Sequence, residues 1–331
     1  MMTNRRRVAA LITAGVVALG ALGVGIYFAV SGGGGPAAKP SAHSSDTATK
    51  AVPAVNPLTG MGPDGRVLAV KIDNVGVAQS QQAGLNSADL VYVIQVEGGL
   101  SRYLAVFDSS NAPSKVGPVR SARQTDIPLL AAYGHVGFAY SGAISGLLPE
   151  LAAANVQNLT PDSAANLFSN GGSSPTYIDP KAIFAAYPQL AQTQNVGFRF
   201  GAMPSGGQAD TSVTVDMPTA SFVFTASGTQ WLVSVDGSPA TTLDQGRTST
   251  DNVIVQHVQV VPGKFTDHNA AQPANEVFSE TTGQGAADFY RDGKVWHGQW
   301  SKPTDTSQTT YTVGGKPMEL TPGRTWIVLA G

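Results

Sequence analysis

Directly after Arg5, Arg6 and Arg7 the chain runs uncharged for 23 residues, from 8 to 30. As a helix this run is about 34 Å long at about 1.5 Å per residue. That is enough to cross a hydrocarbon core of about 30 Å. Gly15, Gly20, Gly23 and Gly25 would weaken a soluble helix, but glycine is common in membrane spans, and Tyr27 and Phe28 sit where an aromatic belt belongs. The arginines belong on the cytoplasmic side by the positive-inside rule, so everything after residue 30 is expected outside the cytoplasm. A cleaved signal peptide is the rival reading. Its apolar core is normally about 7–15 residues, so the longer run favours an uncleaved anchor.

Residues 31–55 read as a linker. They open with four glycines and continue in Pro, Ala, Ser and Thr without apolar periodicity. The expected organisation is therefore a cytoplasmic tail (1–7), a transmembrane anchor (8–30), a flexible linker (31–55), a mixed α/β domain (56–205) and a β-rich domain (210–331).

In the first folded region, residues 66–73 (RVLAVKID), 88–96 (ADLVYVIQV) and 102–107 (RYLAVF) read as strands. Gly98-Gly99 gives a hairpin signal between the last two. Helices are expected at 125–133, 143–154 and 180–192, the last with Asp179 as N-cap and Pro180 at its first position. A short strand is expected at 135–140. The mixture argues for an α+β or α/β layer fold. The second region shows alternating runs at 221–225, 230–235, 252–261, 286–291, 295–300, 309–313 and 325–329. Asp236-Gly237, Asp292-Gly293 and Gly314-Gly315 supply turns. This spacing predicts a sandwich or partly open barrel.

Charged residues are only 13% of the chain, against about 25% in ordinary soluble domains. The formal net charge of −2 argues against nucleic acid as a partner. The absence of cysteine excludes disulfides, thiolate metal sites, a thiol nucleophile and a lipid-bearing cysteine. No G-x-S-x-G, S-x-x-K, H-E-x-x-H, P-loop or G-x-G-x-x-G is present. His135 and His257 lie in apolar runs and read as structural histidines. Thr281-Thr282-Gly283-Gln284-Gly285 reads as a connecting turn of small residues. Trp296, Trp300, Trp326, Tyr290 and Tyr311 could stack on a sugar, but alternating aromatics more often form core or cross-strand pairs.

Against this sparse background one stretch is dense in charge: Asp73, Asn74, Glu97, Arg102, Arg120, Ser121, Arg123 and Asp126. Three guanidinium forks suit a carboxylate or phosphate. If the turn after Gly117-Pro118 is helical, Arg120 and Arg123 share a face and could clamp one anion, with backbone N–H groups beside them. Asp73 and Asp126 are weak candidates for a divalent cation. In the competing reading the charges are internal: Arg102 pairs Glu97, and Arg120 pairs Asp73 or Asp126.

A family resemblance rests on NPLTG (56–60), VKIDN (70–74), AGLNSADLVY (83–92), VEGGLSRYLAVF (96–107) and VGPVRSAR (116–123). TTGQGAADFYRDGKVWHGQW (281–300) and GKPMELTPGRTWIVL (315–329) extend it. These segments resemble the YerB-like family of bacterial envelope lipoproteins, which implies a two-domain extracytoplasmic protein and carries no mechanism. The sequence departs from that pattern by lacking the lipid-attachment cysteine. It also has AQSQQAGL (78–85) where an Arg-Pro version is usual. The order of anchor, linker, strand ending in Asp and Arg-rich turn is more weakly similar to the LytR–CpsA–Psr glycopolymer transferases. That similarity implies Asp73, Arg120 and Arg123 near a pyrophosphate with a divalent cation.

The expected function is thus a membrane-anchored envelope protein. It has no required cofactor and binds an anionic cell-wall or lipid-linked component at the Arg-rich turn. A metal-assisted phosphoryl or glycopolymer transferase and a protein–protein interaction module are the alternatives.

Overall fold

Strands buried at nearly every position must be covered on both faces, and three such strands organise the molecule. The computed structural model describes residues 55–171, 174–267 and 274–331. The expected tail, anchor and nearly all of the linker lie outside the described residues, as do His43 and His268. Among the described residues no helix is long and apolar enough to cross a membrane.

In chain order the main strands begin with β1 (Val67–Asp73), β2 (Leu90–Gln95), β3 (Ser101–Asp108), β4 (Val136–Ala139) and β5 (Val156–Leu159). Next come β6 (Phe168–Gly171), β7 (Ser174–Ile178), β8 (Ser212–Met217), β9 (Ala220–Ser227), β10 (Gln230–Val235) and β11 (Asn252–His257). The chain continues through β12 (Val260–Asp267), β13 (Ala274–Ser279), β14 (Gly283–Arg291), β15 (Lys294–Lys302), β16 (Thr310–Val313), β17 (Lys316–Pro317) and β18 (Thr325–Ala330). Three short helices are α1 (Asp126–Leu130), α2 (Leu148–Ala153) and α3 (Pro180–Ala186).

One large sheet runs β17-β16-β15-β14-β11-β18-β2-β3-β1-β4-β5. The last strand of the chain, β18 (TWIVLA), is buried at all six positions and lies parallel to both β11 and β2. It joins the two regions separated at 205–210 into a single sheet. A sandwich or barrel confined to the second region is therefore not what forms. Instead β8, β9 and β10 make a small second sheet. Phe222, Phe224 and Trp231 on it pack against Tyr103, Trp326 and Tyr290 of the large one. The large sheet's opposite face is covered by residues such as Leu129, Leu130, Leu147 and Leu151 from α1, α2 and their approaches.

Local signals explain the turns. Asp236-Gly237, Asp292-Gly293 and Gly314-Gly315 all have positive φ at both central residues, the geometry a two-residue hairpin needs. Asp179 caps α3 by accepting from the amides of Lys181 (2.9 Å) and Ala182 (3.3 Å). That helix stops at Ala186, earlier than its expected end, just ahead of Pro188. The expected long strand at 252–261 breaks after His257. Its second part becomes β12, which pairs with β13 as a separate two-stranded arm.

Candidate functional site

The charged cluster is built by strand pairing. Asp73 at the end of β1 stands opposite Arg102 of β3. Alternation along β1 puts Lys71 on the same face as Asp73. Over this face runs the segment 120–126, tied down by Arg120 N to the Lys71 carbonyl (2.8 Å) and Asp73 N to the Pro118 carbonyl (2.9 Å).

Four contacts define the charges. Lys71 Nζ meets Asp126 Oδ1 at 2.7 Å with both side chains fully buried. Arg123 Nε meets Glu97 Oε1 at 2.6 Å, and Arg123 is only 5% exposed. Arg120 Nε meets Asp73 Oδ2 at 3.2 Å, and Arg120 is 53% exposed. Arg102 donates from a terminal guanidinium nitrogen to the Ser121 carbonyl at 3.1 Å. Its Nε has no hydrogen-bond partner among the described residues.

The arm β12–β13 closes the cluster from above. Gln124 N donates to Glu276 Oε1 (2.6 Å) and Lys264 N donates to Gln124 Oε1 (3.0 Å). Ser279 N donates to Thr125 Oγ1 (3.0 Å), and Lys264 Nζ reaches Glu150 at 3.0 Å. Glu276 is fully buried, and its Oε2 has no partner among the described residues.

Burial sets the electrostatics. It pushes the Glu276 carboxyl up to about 7, against the pull of Gln124 N and Arg123. It pushes Arg102 down to about 10, with Arg123 adding to the effect and Glu97 opposing it. It also lowers Lys71, which Asp126 holds up. Lys71, Arg102, Arg120 and Arg123 face Asp73, Glu97, Asp126 and Glu276. Of these groups Arg120 is the one that reaches solvent, with its side chain 53% exposed.

Several expectations change. The segment after Pro118 is not helical at 120–123, so Arg120 and Arg123 do not share a face: one points outward and the other is buried. Backbone amides do not gather there for an anion. Val119 N is spent on Thr176 O, Arg120 N on Lys71 O, Ala122 N on Gly142 O and Arg123 N on Asp126 Oδ2. The internal pairing is Arg123 with Glu97, rather than Arg102 with Glu97. Asp126 gives one oxygen to Lys71 and the other to Arg123 N (2.7 Å), so it has none left for a cation. Among the described residues no group of three His, Asp or Glu could hold a metal. Asn74 ties the strand ends together, donating to Ser101 Oγ (2.8 Å) and accepting from Gln82 (3.0 Å). His135 and His257 are exposed rather than core; His257 shares Asp288 with His297.

Sequence reasoning missed Lys71 and Glu276. Lys71 had a visible signal: one lysine inside the otherwise apolar run VLAVKI. Glu276 had none, because its role depends on where the arm folds.

Comparison with known proteins places the chain. Residues 58–196 match the N-terminal domain, and 212–327 the C-terminal domain, of a family described as "Protein of unknown function (DUF3048)". The candidate lipoprotein YerB of Bacillus subtilis (strain 168) is 27% identical over 294 residues, 82% of this chain and 84% of the relative. The crystal structure of the Bacillus subtilis YerB protein superposes with a TM-score of 0.68 at 23% identity, over 84% of this chain and 96% of that one, which establishes the common fold. The chain belongs to the YerB-like family, whose two domains are of unknown function.

Proposed function

We propose that this chain is a membrane-associated, extracytoplasmic envelope protein that binds an anionic envelope component at Arg120. The similarity to a candidate lipoprotein supports the membrane association. The observation that carries the binding reading is the half-exposed Arg120. Asp73 meets it at Nε (3.2 Å), and three further basic side chains, Lys71, Arg102 and Arg123, lie buried behind it. A guanidinium with free terminal nitrogens can grip a phosphate or carboxylate bidentately. The role is binding rather than turnover. Asp73 and Asp126 would have to leave their cations before a metal-assisted transfer could use them, so we do not extend the proposal to transfer chemistry.

Calorimetric titration of the full chain with inorganic pyrophosphate tests this. Arg120→Ala should weaken binding about tenfold or more. The exposed pair contributes about 1 kcal/mol at most to stability, so the unfolding transition should hardly move. Unchanged affinity in Arg120→Ala would refute the reading.

A further inference from the structure

The five aromatic residues weighed as a sugar-stacking surface are all buried: Trp296, Trp300, Trp326, Tyr290 and Tyr311 are each 7% exposed or less. The other face of the same strands is different. The small second sheet covers Val253, Tyr290 and Val295 on that face, and beyond them the strands β14, β15 and β16 lie open. Register puts Gln284, Ser301 and Thr310 in one cross-strand row and Ala286, Gln299 and Thr312 in the next. With Gly285 and Trp300 they line a groove of about 400 Å³, within the roughly 300–1,000 Å³ of small-molecule sites.

The lining has a definite chemistry. It offers two primary amides and three hydroxyls, and no charge. The Thr310 hydroxyl donates to the Ser301 carbonyl (3.1 Å), while the side chains of Gln284, Gln299 and Thr312 make no hydrogen bond to the described residues. Amides and hydroxyls each donate and accept, which matches a ligand made of hydroxyl groups. An anion would find no counter-charge here, and an apolar ligand would strand these polar groups. An added peptide strand would need free backbone, but β14 is paired by β11 and β15, and β15 by β14 and β16. Ala286 keeps the floor low. Two residues further along β14, outside the lining, Asp288 is held by His257 Nε2 (2.9 Å) and His297 Nδ1 (2.6 Å).

We propose that the groove between Gln284 and Gln299 is a binding site for a short neutral oligosaccharide. It is separate from the Arg120 site and independent of the reading given there. The test is calorimetric titration of the full chain with cellotetraose and with the tetramer of N-acetylglucosamine. Saturable binding of at least one tetramer is expected, with little change between low and high salt because no charge is involved. The Gln284→Ala/Gln299→Ala double variant should weaken it about tenfold or more. Both glutamines are exposed and unbonded, so that variant should keep the native unfolding transition. Ala286→Trp should block the groove by bulk and provides a second, independent check. Arg120→Ala should leave glycan binding unchanged. Failure of both tetramers to bind saturably up to about 10 mM, a range that reaches weak recognition, would overturn the proposal. So would binding that survives both groove variants.

Discussion

Removing Asp126 is the most severe single change the structure foretells. Its carboxylate lies 2.7 Å from Lys71 Nζ with neither side chain exposed, and its second oxygen accepts Arg123 N at 2.7 Å. Asp126→Ala leaves a buried ammonium whose other charged neighbours include two cations, Arg102 and Arg123. Breaking a buried ion pair by removing one partner costs about 3–5 kcal/mol. Leaving the Arg123 amide unpaired adds about 1 kcal/mol. A loss of about 4–6 kcal/mol follows, or roughly 8–20 °C in the unfolding midpoint for a folded part of this size. Lys71→Met should cost less, about 3 kcal/mol, because Arg102 and Arg123 remain near the orphaned carboxylate. The double variant Lys71→Met/Asp126→Ala should fall short of the sum by about 1 kcal/mol or more, since the pair is coupled. Urea unfolding followed by the fluorescence of buried Trp231 and Trp326 measures all three. A loss under about 1 kcal/mol for Asp126→Ala, or strict additivity, would refute the reasoning.

Other outcomes follow from the same geometry. Glu276 is raised from 4.5 to about 7 by burial, so the closed arm holds a proton that the detached arm releases between those values. Its contribution is full below pH 4.5 and is lost as pH rises through about 7. Amide exchange across β12 and β13 should therefore speed up from pH 5 to 7.5 beyond its intrinsic pH dependence, and in Glu276→Gln that excess should vanish. Asp89, also raised to about 7, gives global stability the same sign, and the arm-level readout separates the two. Gly197→Ala should destabilise the chain by roughly 2 kcal/mol or more. Its φ is +127°, and a Cβ there would run into the Thr309 carbonyl, which chemical denaturation would register. Residues 56–205 or 210–331 expressed alone should fail to fold cooperatively by circular dichroism, because β2 and β18 would each lose a buried neighbour.

The parts of the fold legible in sequence are the local ones. Asp236-Gly237 and Asp292-Gly293 specify their turns by backbone conformation alone, and Asp179-Pro180 starts α3 with its own side chain. Strand positions were readable from apolar runs because β1, β2 and β18 need cover on both faces. What stayed hidden depends on partners distant in sequence. Nothing in TWIVLA says that it pairs with LVYVIQ more than two hundred residues earlier. The charge-dense segments did converge, yet their pairing followed from the path of 120–126 across β1 and from the arm above it. Arg123 is buried because Glu97 pairs with it and the arm carrying Glu276 folds onto the neighbouring Gln124. Arg120 stays outside because its own backbone is pinned to Lys71. The arginine pattern thus indicated where charges converge, while tertiary packing decided which arginine faces solvent.

Amide exchange of the full chain with and without inorganic pyrophosphate tests the proposed anion site most directly. The predicted result is protection confined to residues 120–126 and the arm strands β12 and β13, absent in Arg120→Ala. Pyrophosphate that binds without protecting those segments, or that protects them equally in Arg120→Ala, would contradict an anion site at Arg120.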